Sequence, residues 1–483
     1  MDHRLSVPGT SLPAQPRRGR RRRRRRRVLL AVLAGGLVAG AVPMLTPPDE
    51  PPRKAVRPPA AGPQALTALT SGMPAALPQL AALIGQEERR VRAQPRDAWA
   101  WAVLGSAYVE RGRRTAEPAD YPRADQALRT SLKVRAAKNT EAYDGLTALA
   151  LARRDFPAAK RYGEQALKEA PKRWTAYPPL IDAYTGLGDY KAVQSSLDRL
   201  LALRPGAAAR PAVMARASAV YRDRGWREDA VAQLTDAAAA AGTPAARAVW
   251  LAGLGQLAWE RGDLPDALRH FEAALRLDPG QREALTGRAR TLAVRGRMAE
   301  AFAGYRAALA GRPDPRDAYE LGELYEAGGM TRAARTAYGQ VKALVRQRIA
   351  AGVDEDLLIG RFEADHGDAG NAVRELRAEW RRQPGIEVAD ALGWALHRAG
   401  ADRQALAYAA AATDTARGGV HSAPYVFHRG MIEKGLERYA TARRHLQEAL
   451  RVNPYFSPLD VPAARAALRA LGGVPDEPPP DDL

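Results

Sequence analysis

Helical hairpins recur along this chain with a period near 34 residues, and that recurrence limits its possible folds more than any other feature. The unit is plainest in LGQLAWERGDLPDALRHFEAALRLDP, Leu254 to Pro279. Gly262 can adopt the left-handed conformation that closes a first helix. Asp263 is a good N-cap for a second, and Pro265 is tolerated in that helix's first turn. Ala267 and Ala274 put small residues on one stripe, and Pro279 ends the unit. Pro171 and Pro205 stand 34 residues apart, as do Pro279 and Pro313. Ten copies can be aligned, starting near Ala98, Thr140, Trp174, Pro211, Ala248, Arg282, Pro315, Val353, Ile386 and Ala423.

Three columns run in phase through these copies. The turn between the two helices carries Gly112, Gly188, Gly225, Gly262, Gly296, Gly329, Gly367 and Gly400. The second helix carries alanine in nine copies, among them Ala124, Ala159, Ala230, Ala267 and Ala442. The first helix carries Gly105, Gly255, Gly322, Gly360, Gly393 and Gly430. Small residues on both sides let the helices of a hairpin cross closely. The third copy departs from this: Ile181, Val193 and Leu200 occupy the tight positions, and Pro178-Pro179 falls inside the expected first helix. That helix should start at the prolines or bend there, in a wider hairpin.

Trp101-x-x-Leu104-Gly105-x-x-Tyr108, with Ala267, Phe271, Ala274 and Pro279, resembles the tetratricopeptide repeat pattern. The resemblance covers Gln79 to Pro454, with residues 113–119 inserted in the first turn and no glycine in the last. It implies an all-α, right-handed α-solenoid of antiparallel hairpins. It also implies that the first helices line a concave face for peptides or partner proteins. On this chain that face would present Trp99, Ser106, Asp144, Asp182, Arg222, Gln256, Trp259, Arg290, Glu323, Arg361, Trp394, His397, Phe427 and Met431. Exposed Trp and Arg are hot-spot residue types; the alternative is that each aromatic packs against a neighbouring repeat. A carboxylate clamp is not expected, because Ala102 and Ser106 occupy its first-repeat places.

The formal charge of +20 is concentrated at the start: residues 1–57 hold fourteen Lys and Arg against three acids. Between Arg17 and Arg27 ten of eleven residues are arginine, and the uncharged run Val28–Leu45 follows. Eighteen helical residues span about 27 Å, close to a bilayer's hydrocarbon thickness. The segments therefore divide into a basic cytoplasmic stretch (1–27), a membrane anchor (28–45), a Pro-rich linker (46–78), the repeats with end helices (79–471) and an acidic Pro-rich tail (472–483). A signal peptide cleaved after Ala41 and a cytosolic basic arm are the other readings of the N-terminus.

The chain has no cysteine, which excludes disulfides, thiolate metal sites and a Cys nucleophile. It shows no phosphate loop, nucleophile elbow or metalloprotease helix. His270 reads as a helix-surface residue, and Asp354, Glu355 and Asp356 as acids at a helix N-terminus rather than a metal site. The expectation is a non-enzymatic scaffold or adaptor at a bacterial cell envelope, with no cofactor, metal, nucleic acid or small-molecule substrate. A secreted peptide- or glycan-binding repeat protein, or a non-catalytic subunit of an envelope polysaccharide or secretion machine, are the alternatives.

Overall fold

The computed structural model describes residues 61–472. Contacts divide the chain into Met1–Arg57 and Pro58–Leu483, and every described helix belongs to the second unit. The basic stretch, the apolar run and nearly all of the acidic tail lie outside the described residues.

All regular structure among the described residues is helical: 23 α-helices and two 3-10 turns. A leading hairpin, Ala61–Thr70 with Leu77–Ala93, precedes ten further hairpins, and Asp460–Ala470 closes the series. The helices Ala61–Thr70 and, at its start, Leu77–Ala93 thus fall inside the segment expected to be linker. The leading element, expected as a half-repeat, is a full hairpin. Six first helices start where the repeat grammar placed them, at Ala98, Thr140, Arg282, Pro315, Ile386 and Ala423, while those expected near Pro211, Ala248 and Val353 start at Arg210, Pro244 and Asp356.

The turn column works as expected in most copies. Gly188, Gly225, Gly262, Gly296, Gly329 and Gly400 all have φ between +70° and +77°. Arg154 and Glu437 take the same left-handed conformation without glycine, each at φ +60°. Gly112 and Gly367 do not belong to this column. Gly112 lies buried inside the helix Ala98–Thr115, and Gly367 is extended at φ −140°. Asp155, Asp189, Asp263 and Asp368 cap their second helices, each accepting from the N–H three residues on.

The alanine column is fully enclosed; Ala124, Ala159, Ala230, Ala267, Ala301, Ala372, Ala405 and Ala442 expose nothing. The first-helix glycines, however, chiefly receive the residue one helical turn after the alanine. A Cβ on Gly255 would lie 2.6 Å from the Phe271 ring, one on Gly105 2.5 Å from Leu128, and one on Gly430 2.9 Å from Leu446. The pairing is therefore a knob entering a hole, and it buries Phe271 to 1% exposure. A buried phenyl of that size contributes about 2–3 kcal/mol. In the fourth copy Ser218 fills the hole and donates to the Ala230 carbonyl at 2.6 Å.

The third hairpin starts late, as its prolines require. A 3-10 turn, Trp174–Ala176, precedes a first helix of only ten residues, Tyr177–Gly186, whose first turn holds the prolines. No N–H is needed there, so neither proline breaks the helix. Ile181, Val193 and Leu200 are buried in a separate core with Leu180, Leu197 and Val213.

Stacked hairpins make a ribbon with the hairpin turns along one edge and the inter-repeat loops along the other. This ribbon coils until its two edges meet. The Phe156 N–H donates to Gln383 Oε1 at 3.0 Å, and the Asp354 N–H to the Arg153 carbonyl at 2.8 Å. The Ile386 N–H donates to the Tyr190 hydroxyl at 3.1 Å, Arg227 to the His421 carbonyl at 3.0 Å, and Asn453 Nδ2 to the Trp259 carbonyl at 2.8 Å. Three of these bonds join residues 194 or 196 positions apart. That separation is between five and six 34-residue units, so one superhelical turn rests directly on the next.

Candidate functional site: an enclosed lumen

Because the edges touch, the concave face is an interior wall. It encloses a cavity of about 1130 Å³. First helices of the early repeats supply Trp99, Ser106, Asp144, Asp182, Arg222, Gln256 and Trp259 to its lining. The later superhelical turn contributes Glu387, Tyr425 and Phe456, and the leading hairpin adds Leu69 and Met73. Phe156, Trp174 and Trp250 complete its aromatic share, and none was among the residues expected from the sequence.

Seven residues expected on the concave face, Trp99, Ser106, Asp144, Asp182, Arg222, Gln256 and Trp259, are thus brought together on one cavity. Arg290, Glu323, Arg361, Trp394, His397 and Phe427 do not line it.

The polar members of this face are engaged with the next repeat rather than standing free. Asp144 accepts from Arg173 at 2.7 Å and from Thr175 at 2.9 Å. Asp182 pairs with Arg216, one 34-residue period away. Arg222 holds Glu260 through two bonds of 3.0 and 2.6 Å. Gln256 donates to Glu260 at 2.9 Å and accepts from Arg290 at 3.2 Å, while Arg290 grips Glu320 at 2.7 Å. Arg361 donates to the Glu387 carbonyl at 3.2 Å, and His397 lies 2.5 Å from Asp402. Several of these links tie one repeat to its successor. Opposite charges 29 to 38 residues apart carried the signal for them, and sequence reasoning missed Arg173, Arg216, Glu260 and Glu320.

Three aromatics expected as exposed contacts are corrected by their burial. Trp259 is 5% exposed, Trp394 7% and Phe427 1%, because each fills the seam between repeats. Trp259 lies under the Arg290 guanidinium, 5.3 Å from its centroid. Trp394 donates to Asp365 at 2.7 Å and stacks on His428 at 4.3 Å, with His428 in turn 2.8 Å from Asp390. Trp99 remains partly open, with Arg90 4.9 Å above its ring.

Electrostatics inside the lumen follow from partial removal from water. Burial raises the Asp144 and Asp182 carboxyls, against the pull of Arg173 and Arg216 respectively. Burial pushes Asp223 up to about 6, since Arg222 beside it is offset by Glu387 and Glu260. Away from the lumen, Glu323 is raised well above the usual carboxylate range by burial and by its acidic neighbours Asp460 and Asp365. Asp144 Oδ1, Arg216 Nε, Trp250 Nε1 and Ser422 Oγ, all on lining residues, have no partner within the described protein. Such buried unpaired polar atoms are uncommon in a finished interior.

Among the described residues one group of acids, Asp354, Asp356 and Glu379, could gather on a cation. Arg382 already sits among all three, so the cluster is an ion-pair network. His270 lies 3.5 Å from Asp266, and burial lowers its pKa.

The helical-hairpin period, the left-handed turns and the knob-and-hole columns agree with a direct comparison of sequence. Residues 253–318 match the profile of the tetratricopeptide repeat family. The chain carries tetratricopeptide repeats. No curated protein sequence matches this repeat protein significantly. Solved structures similar to it include one from a functional characterisation of Pseudomonas aeruginosa pilF, at 21% identity and TM-score 0.35, covering 42% of this chain and 91% of that one. Another is the human IFIT1 dimer with m7Gppp-AAAA, at 17% identity and TM-score 0.44, covering 64% and 70%. A third is PilW, a type IV pilus biogenesis factor, at 19% identity and TM-score 0.35, covering 43% and 93%. None of these likenesses bears on the function of this repeat protein. Among its described residues no helix is long and apolar enough to cross a membrane.

Proposed function

We propose that this repeat protein is a non-catalytic scaffold that holds a polypeptide segment of a partner in its lumen. The observation that carries this reading is the lining itself. Aromatic surface from Trp99, Trp174 and Trp250 alternates with Asp and Arg side chains, and four lining side chains keep an unused donor or acceptor. A peptide backbone offers both donors and acceptors, and Trp and Arg are the residues on which binding energy concentrates. A volume of about 1130 Å³ exceeds what small-molecule pockets usually occupy, roughly 300–1,000 Å³.

We also place the scaffold at the bacterial cell envelope, anchored by Val28–Leu45 with the repeats outside the membrane. Support comes from the arginine run ahead of that apolar segment. A reporter active only in the cytoplasm, fused after Leu483, should be silent.

The partner reading is tested by a photo-crosslinking residue placed in the full chain at Ala219, on the lumen wall, or at Arg332, away from it. Crosslinks to a defined peptide segment of one protein from Ala219, lost when Ala215→Trp fills the lumen, support the proposal. Equal crosslinking from Arg332, or none from Ala219, contradicts it.

A further inference from the structure

The loop edge of the ribbon occurs in two states, covered and free, and its charge differs between them. In the later superhelical turn this edge receives the hairpin turns of the earlier one. Those turns are basic, with Arg114 and Arg154 reaching over, and the loops beneath meet them with acids. Arg114 pairs with Asp278 at 3.3 Å and Arg154 with Glu387 at 3.7 Å. Among the described residues no turn of ribbon lies beyond the first loops, and there the charge is reversed. Arg92, Arg96, Lys133, Lys138, Lys172 and Arg204 are exposed on successive loops and helix ends of this rim. None has an ion-pair or hydrogen-bond partner among the described residues. Basic residues at helix C-termini are favoured by the helix dipole. That effect acts on the later loops too, whose preceding helices end in Arg276, Arg348, Arg381 with Arg382, and Arg451. There Asp278, Asp314, Asp354 and Glu387 offset the cations, so the dipole alone does not explain the contrast.

A second copy of the chain cannot use this rim as its own ribbon uses the covered one, because a basic turn edge would meet a basic loop edge. The rim instead suits an anionic partner. Two exposed apolar side chains, Val134 at 37% and Leu201 at 41% exposure, stand among the cations. Cations interleaved with apolar side chains are what an anionic lipid surface attracts, headgroup charge steering and the apolar groups entering the interface. We infer that the free loop rim of the first superhelical turn is a docking face for anionic phospholipid. It would hold the superhelix with that rim against the bilayer. The rim alone carries this, whatever the lumen binds.

The absence of cysteine makes the test direct. An environment-sensitive fluorophore is attached to the full chain at Val134→Cys on the rim, or at Tyr439→Cys on the opposite edge. Each is mixed with vesicles of phosphatidylcholine alone or of phosphatidylcholine with phosphatidylglycerol. The arginine run at residues 17–27 would itself bring the chain to phosphatidylglycerol, so the contrast between the two label positions is what the comparison reads. The label at position 134 should brighten and shift to the blue only with phosphatidylglycerol, and the label at 439 should not respond. Replacing Lys133, Lys138 and Lys172 together by Glu should raise the phosphatidylglycerol concentration needed by more than roughly tenfold. No response at 134, the same response at 439, or a response to soluble polyphosphate equal to that from vesicles would each overturn the inference.

Discussion

Asn453 Nδ2 donates to the Trp259 main-chain carbonyl at 2.8 Å across 194 residues of sequence. Asn453 is 2% exposed, and its Oδ1 accepts from the Tyr455 N–H at 2.9 Å, so both ends of the amide are used. One side chain thereby fixes the local loop and seals one superhelical turn against another. Asn453→Ala should cost about 0.5–1.5 kcal/mol, the net worth of one hydrogen bond, because the Gly262 N–H still donates to that carbonyl at 2.9 Å. Hydrogen exchange should rise at Gly262 and Asp263, beside the broken seam, and stay unchanged in Met298–Gly311. Uniform exchange across both regions would show that the seam is not a local closure.

Glycine has two separable roles here, and substitution distinguishes them. Gly255→Ala drives a methyl into the Phe271 ring and should destabilise by about 1–3 kcal/mol through overpacking. Gly296 has open space around it but φ +76°, so Gly296→Ala should cost only the left-handed penalty, about 1 kcal/mol. Glu437 sits at φ +60° in the turn that lacks glycine, and Glu437→Gly should stabilise by up to about 1 kcal/mol. Denaturation midpoints in the order Gly255→Ala, Gly296→Ala, unmodified, Glu437→Gly are expected, lowest first.

Stability should fall with rising pH because of Asp317. This carboxyl is 3% exposed, and burial pushes its pKa up to about 7 despite Arg282 at 3.2 Å, with Asp314 adding to the rise. An unfolded Asp ionises near 3.9. Between about pH 4 and pH 7 the folded chain therefore holds a proton that the unfolded chain releases, and stability declines across that window. Asp317→Asn should flatten the decline, read as a smaller difference in urea midpoint between pH 4.5 and pH 8. An unchanged difference would mean that Asp317 is ionised throughout.

Local structure was legible because repetition averages over noise. Thr140, Arg282 and Ile386 begin helices in the structure as they did in the aligned copies, and the alanine column is buried from Ala124 to Ala442. The face of each helix was legible too, since Asp144, Asp182 and Gln256 do line the lumen. What Trp259, Trp394 and Phe427 do was not. Position on the inner face leaves open whether a ring points into the cavity or into the seam, and neighbouring residues such as Asp365 decide it. Least legible was the pitch. Closure of the ribbon depends on small rotations summed over five or six repeats, and the residues that seal it, Gln383 and Asn453, lie outside the repeat columns.

That closure is the central claim, because the lumen exists only if the two edges meet. Nitroxide labels at Glu228→Cys on the turn edge and His421→Cys on the loop edge, 193 residues later, report it in a chain without other cysteines. Pulsed dipolar spectroscopy should give one short, narrow distance distribution, because Arg227 bonds to the His421 carbonyl at 3.0 Å. A broad distribution centred at a long distance would show an open superhelix with an exposed groove, and would contradict the account.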